Sequence, residues 1–499
     1  MGDKIFIGGT EAGNTVELDI EYINRHGLIA GATGTGKTVT LQTLAESLSD
    51  YGIPVFVSDV KGDLTGISQP GEMKPFLEER AKKIGYEPYG MMGFPSILWD
   101  IDGQLGHPVR SSISEMGPLM LTRILELSEA QEGILYAAFA IADDQGMLML
   151  NLDDLSAMLN FMVENRKDLA FEYGNITTAS VGTIQRKLMA LKQEGAKQFF
   201  TEPALELNDL MRTDASGRGA INILAAENLM TRPKIYGTFL LYLLSELFEE
   251  LPEAGDVDKP KLVLFFDEAH LIFDDISNAL LDKIEQVVRL IRSKGVGVFF
   301  VTQNPKDLPD SVSAQLGCRI QHALRAYTPN EQKVIRAAAD TFRANPEFDT
   351  LEVITQMGVG EALISTLEKK GVPSVVQRTL IRPPHSRMGP ITDAERRHLI
   401  AISPIGTKYD TEEDPRSAYE MLQERAEKKV ADAELAQREK EREFQYERER
   451  RSSTSYRTTR SSNRQTMAEA AMKSAVRAAS SKIGREIARG ILGSIMRGR

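Results

Sequence analysis

Between residues 26 and 57 short apolar runs alternate with a stretch of helical spacing. His26 to Ala30 reads as a short strand, and Lys37 to Asp50 places Val39, Leu41, Leu44 and Leu48 on one helix face. Ile53 to Val57 is a second apolar β-rich run, bounded by Gly52 before it and by SDVKGD after it. Strand, helix, strand at this spacing is a βαβ unit and predicts a mainly parallel sheet. From Ser112 to Glu194 the pattern turns helical. Leu119, Ile124, Leu125 and Leu127 recur at helical spacing, as do Leu155, Met158, Leu159 and Met162. The alternation resumes near Ala220, with a helix over Lys234 to Glu249 and a strand over Leu262 to Phe266. A helix around Leu280 to Ser293 and a strand over Val296 to Thr302 follow.

The expected fold is therefore α/β: one core carrying a helical insertion and ending near Arg387. In numbers, 1–110 is the first part of the core, 111–200 the insertion, 201–390 the second part, and 391–499 a charged extension. Within that extension, Glu412 to Arg450 is almost continuous charge and predicts a long exposed helix with i,i+4 pairs. Arg451 to Arg464 is rich in Ser, Thr and Arg and reads as disordered, while Met467 to Met496 regains helical periodicity.

Composition narrows the classes. With 499 residues, 42% hydrophobic and 26% charged, the chain has the make-up of a globular protein with a large core. Its one cysteine, Cys318, excludes an internal disulfide and fits a reducing compartment. The first residues lack the basic segment and apolar run of a signal peptide, and no apolar run approaches the ~20 residues a membrane span needs. The expected location is cytoplasmic. The formal charge of −11 is unevenly spread: from Arg451 to Arg499 eleven Lys/Arg face two Asp/Glu, a net +9, so residues 1–450 carry −20. An acidic body does not advertise nucleic-acid binding, although a local basic channel is compatible with it.

Candidate chemistry begins at Gly31-Ala32-Thr33-Gly34-Thr35-Gly36-Lys37-Thr38, which fits G-x-x-x-x-G-K-[ST] between a strand and a helix. Glycines let such a loop curl so that backbone N–H groups face a phosphate, and the helix N-terminus adds positive potential. Lys37 reaches the β- and γ-phosphates, and the Thr38 hydroxyl ligates Mg²⁺, so the implied ligands are ATP and Mg²⁺. Downstream, the apolar strand Leu262 to Phe266 ends in Asp267-Glu268-Ala269-His270. The first acid is placed to hold the Mg²⁺ shell, the second to polarise an attacking water. The alternative is a strand ending in solvated acids, and His270 divides between catalysis and a polar network. Gln303, at the end of the next strand, is positioned to sense the γ-phosphate or the lytic water; a strand cap is the plain alternative.

These motifs carry a resemblance. GATGTGKT, FVSDVKGD, LFFDEAH and VRLIRSKGVGVFFVTQNP resemble the motor core of the HerA/FtsK superfamily of DNA-pumping ATPases over roughly residues 20–385. The whole chain resembles its bacterial YjgR-type, HerA-like helicase branch. The resemblance implies a RecA-like P-loop NTPase core, a homo-hexameric ring, ATP at subunit interfaces and DNA in the central pore. It also implies arginine fingers: Arg289 and Arg292 match the segment that reaches a neighbouring subunit, and Arg25 matches a position offering an arginine in cis. Arg319 and Arg325 are weaker candidates. Asp59 and Lys61 match the superfamily's D-x-K-G-[DE] segment, facing nucleotide or pore or forming a solvated turn. Two departures stand out. About 30 residues precede the glycine loop, too few for the β-barrel usual in HerA proteins, and no winged helix is evident. An ATPase motor or switch working on a protein partner, through the insertion or the tail, is the alternative function. The tail itself reads as a solvated extension, a DNA-binding or tethering arm, or a basic helix on an anionic membrane.

Overall fold

The computed structural model describes residues 3–454, apart from 256, 274–277 and 327. Of the stretch expected to be disordered, Arg451 to Thr454 is still helical; the rest of it to Arg464 and the helix expected over Met467 to Met496 lie outside the described residues. In chain order the strands are β1 (Lys4–Gly9), β2 (Thr15–Asp19), β3 (Gly27–Ala30), β4 (Val55–Asp59), β5 (Ser96–Asp100), β6 (His107–Pro108) and β7 (Ile221–Ala225). They continue with β8 (Leu262–Phe266), β9 (Val296–Thr302), β10 (Cys318–His322), β11 (Glu361–Ser365), β12 (Leu367–Glu368), β13 (Val372–Pro373) and β14 (Gln377–Ile381). Twelve of them form one sheet in the order β2-β1-β14-β11-β10-β3-β9-β8-β4-β7-β5-β6.

From β10 to β6 every pairing is parallel. Strands buried on both faces have no polar side to show, so β8 (LVLFF) and β9 (VGVFFVT) are buried at every position. From β10 outward to β2 the pairings turn antiparallel. The sheet is thus mainly parallel, as the alternation predicts, with an antiparallel extension that the pattern does not announce. The expected second strand begins two residues later than Ile53 and runs through Asp59, because Ser58 and Asp59 continue the ladder with Leu224 and Ala225.

One sheet face packs on the helix Lys37–Asp50, and the core there includes Leu41, Leu44, Leu48, Val55, Val57, Phe265 and Phe299. The other face shares one continuous core with the insertion, whose main helices are Ile113–Ile124, Glu129–Asp144, Leu152–Glu164, Arg166–Tyr173 and Thr178–Leu191. Between sheet and insertion lies the helix Pro233–Glu250, apolar nearly all round because it is covered on both sides. Leu119 is exposed; Gly117 (φ 67°) and Pro118 break the helical geometry just before it.

The first compact unit runs past Arg387 to Glu424. Tyr409 is fully buried, edge-on to Trp99 with ring centroids 5.5 Å apart, and its hydroxyl donates to Asp209 Oδ2 at 2.6 Å. Ala418 and Leu422 are buried as well. The second unit, 425–499, is helical as far as Thr454, and its described side chains are nearly all exposed. No helix among the described residues is long and apolar enough to cross a membrane.

Candidate functional site

In a parallel sheet all strands point the same way, so the loops leaving their C-terminal ends converge. Here the ends of β3, β4, β8, β9 and β10 supply respectively Gly31, Lys61, Asp267 with Glu268, Gln303, and His322. The strand β9 lies between β3 and β8, and its register sets Ala30 beside Thr302 and Phe266 beside Phe300. Gln303 is thereby held between the glycine loop and the acids.

The loop Gly31 to Thr38 curls through left-handed residues, Gly34 at φ 76° and Gly36 at φ 113°, then enters its helix at Lys37. A Cβ on Gly31 would lie 2.4 Å from the His322 Cβ, so glycine is required there by packing. The Lys37 ammonium is buried and donates to the carbonyls of Gly31 (2.7 Å) and Ala32 (3.2 Å). Burial, then the charge of Lys61, lowers its pKa. Thr35 closes the loop on the Ala32 carbonyl at 2.7 Å, and Thr38 is half-buried at the second position of the helix.

Glu268 is 3% exposed and holds φ at 46°, a strained value for a side-chain-bearing residue. Lys61 Nζ lies 2.5 Å from its Oε1. The Gln303 amide donates to Oε1 at 3.1 Å and Oε2 at 3.3 Å, and His270 Nδ1 stands 3.4 Å from Oε2. Burial works to raise the carboxyl pKa, but Lys61, Gln303 and His270 outweigh it and hold Glu268 below the usual range. Gln303 Oε1 accepts a hydrogen bond from the Thr33 hydroxyl at 3.1 Å. Glu268, Gln303 and Thr33 are therefore one hydrogen-bonded chain from the buried acid to the tip of the glycine loop.

Asp267 is also 3% exposed, and its Oδ2 is buried with no hydrogen-bond partner. Burial pushes its carboxyl up to about 6, with the charge of Glu268 adding and Lys61 opposing. A buried acceptor left unsatisfied is costly and marks a place for a ligand. Among the described residues no group of three or more His, Cys, Asp or Glu could hold a metal unaided. A single carboxylate with a threonine hydroxyl suits Mg²⁺, which takes its remaining oxygens from phosphates and water.

Two further residues support the site, one of them, Asp59, already marked by the D-x-K-G-[DE] segment. Asp59 is fully buried and accepts from the backbone N–H of Gly62 (2.8 Å) and Leu64 (2.9 Å), bracing the loop that carries Lys61. His322 is buried beneath the glycine loop, with Nε2 2.9 Å from Thr40 Oγ1; burial and the Lys37 charge bring its pKa down to about 4. Nothing in the local pattern around His322 signals this place.

The arginines lie elsewhere. Arg25 precedes β3, over the Tyr22 ring at 5.4 Å, at the end of the strand opposite Gly31. That placement separates it from the loop it was expected to serve in cis. Arg289 is exposed near the end of the helix Asn278–Ile291, and Arg292 is half-buried just before β9. Arg319 donates to the Ser313 carbonyl at 2.8 Å, and Arg325 to those of Thr355 and Met357.

A parallel sheet with β9 between the glycine-loop strand and the acidic strand is the arrangement of a RecA-like P-loop ATPase, and its family is of the HerA/FtsK type. The chain belongs to the family described as helicase HerA-like C-terminal, which matches residues 5–499. It is similar to the probable helicase MJECL08 of Methanocaldococcus jannaschii, 30% identical over 367 residues, covering 69% of this chain and 64% of that protein. It is also similar to the DNA double-strand break repair helicase HerA of Saccharolobus solfataricus, 23% identical over 361 residues, covering 70% and 63%. The chain thus spans just under two thirds of the length of these relatives. Among solved structures, the plasmid coupling protein TrwB in complex with the GTP analogue GDPNP matches with a TM-score of 0.51 at 12% identity, over 79% of this chain and 98% of that one. That likeness is one of fold.

Proposed function

We propose that this chain hydrolyses ATP with Mg²⁺ at the Gly31 to Thr38 loop and, as a homo-hexamer, spends it on moving along DNA. The observation that carries the chemistry is the chain of hydrogen bonds from Glu268 through Gln303 to Thr33. Backbone N–H groups of the loop and Lys37 hold the phosphates, while Thr38 and Asp267 hold the metal. Bound Mg²⁺ would neutralise charge on the β- and γ-phosphate oxygens. Glu268 accepts the proton of the attacking water, and Gln303, bonded to both Glu268 and Thr33, fixes that water relative to the loop. Arg289 or Arg292 of a second copy supplies positive charge to the transition state. DNA as the track rests on kinship with relatives named as DNA repair helicases.

The test is the ATPase rate of wild type and Glu268→Gln, with and without single- and double-stranded DNA at low salt. DNA should stimulate the wild type. Glu268→Gln should bind nucleotide normally and lose about 10²–10⁴ in rate. Absence of both stimulation and DNA binding removes the DNA motor and leaves an ATPase working on a protein partner. A strict monomer in the presence of a non-hydrolysable ATP analogue removes the ring.

A further inference from the structure

An ionised carboxylate offers about four lone-pair sites. For Glu268, protein groups take up three of these, Lys61 and Gln303 at Oε1 and Gln303 at Oε2, and His270 Nδ1 stands 3.4 Å from Oε2. A water finds the carboxylate crowded, and its approach is eased when one partner gives way. Lys61 makes the shortest of these contacts, and it is the cation that a γ-phosphate would compete for. Its loop is anchored from below, since Asp59 holds Gly62 and Leu64, and a Cβ on Gly62 would collide with the Glu227 carboxylate at 1.8 Å. Above that fixed backbone the Lys61 side chain is 38% exposed, on a four-carbon stem that swings easily. It also stands near enough to Lys37 for the two charges to repel.

We infer that Lys61 is a positioning residue for hydrolysis: it restrains Glu268 until the γ-phosphate draws its ammonium away, freeing Glu268 to accept a proton from water. The inference rests on the reading of Glu268 as the water-activating base. It makes Lys61 a discriminator between tri- and diphosphate, since its second binding partner is present in ATP and lacking in ADP. A merely structural ion pair would show no such preference.

The experiment uses the full chain as wild type, Lys61→Met and Lys61→Arg, and reads Kd for ADP, Kd for a non-hydrolysable ATP analogue, and kcat. In Lys61→Met the Kd for ADP stays within about twofold of wild type, which also shows that the variant is folded. The ATP analogue weakens by roughly ten- to hundredfold, the range of a hydrogen bond to a charged group, and kcat falls at least about tenfold because the γ-phosphate loses the ammonium, although Glu268 is already free. Lys61→Arg restores most of both. Equal weakening of both nucleotides, unchanged affinity for both, or no rescue by arginine overturns the inference. Glu268→Gln separates the two readings. If Glu268→Gln hydrolyses normally, the base assignment is wrong. If it is inactive while Lys61→Met behaves as wild type, the role of Lys61 alone is wrong.

Discussion

Arg382→Met should be among the most damaging substitutions outside the candidate site. Arg382 and Glu46 are 2% and 0% exposed and pair at 3.0 Å. Arg382 also donates to the Thr43 carbonyl at 2.5 Å and Ser47 Oγ at 2.8 Å, and its guanidinium stands 5.4 Å from the Tyr86 ring centroid. Glu46 accepts from the backbone N–H groups of Ser386 (2.9 Å) and His385 (3.2 Å). The cluster ties the helix that begins at Lys37 to the segment leaving β14. Removing one partner leaves a buried charge uncompensated, a loss of about 3–5 kcal/mol. At about 2.1 cal/mol/K per residue, the unit Met1–Glu424 unfolds with an entropy of roughly 0.9 kcal/mol/K. Calorimetry should then show Tm falling by about 3–6 °C in Arg382→Met. The double variant with Glu46→Leu should lose less than the sum of the singles, because the two residues share one interaction. A drop under about 1 °C, or strict additivity, would refute the view of this pair as a coupled clamp.

Asp59→Asn should change how stability depends on pH. Burial first, then neighbouring Asp63 and Asp267, push the Asp59 carboxyl up to about 7 from its ordinary 3.8. A raised carboxyl favours the protonated form in the fold. Its cost is therefore absent below about 4, grows as pH rises, and is complete above about 7. Asparagine cannot ionise, so the wild-type Tm minus the variant Tm should fall from pH 5 to pH 8; a constant or rising difference contradicts this. Arg289→Ala and Arg292→Ala should leave nucleotide Kd within about twofold while lowering kcat, and the deficit should appear only at concentrations where copies associate. A deficit equal at all concentrations points to an effect within one chain.

Much of the parallel core is legible because its strands are buried on both faces and read as unbroken apolar runs. LVLFF and VGVFFVT need no tertiary information, and the acids and amide that follow them mark the site directly. The antiparallel extension is harder. β14 (QRTLI) is half polar, and β1 pairs with it across most of the chain, a contact no local pattern encodes. Tyr409 illustrates the same difficulty: within a polar segment it looks solvated, yet it closes over Trp99 and Asp209 from about 200 and 300 residues away. Lys61 was visible as part of SDVKGD, but a turn rich in Gly and Asp reads equally as solvated. What decides is the Glu268 carboxylate arriving from β8, a strand that adjoins β4 in space while lying 200 residues downstream.

The arginines give the geometry its direction. β9 has seven residues, so its ends stand roughly 20 Å apart. Arg292 precedes that strand and Gln303 follows it, which puts Arg292 a full strand length from the acids of its own chain. Arg25 is placed likewise at the start of β3. An arginine at this end can meet a γ-phosphate only if another copy presents its strand starts to the strand ends of this one. Such a contact joins two different surfaces and leaves an acceptor face open on one chain and a donor face open on the other. Repeated around an axis, it closes into a ring or runs on as a filament. If either Arg289 or Arg292 is the finger, a head-to-tail assembly follows from where the hydrolytic chemistry needs its charge, and the proposed hexamer is its closed form.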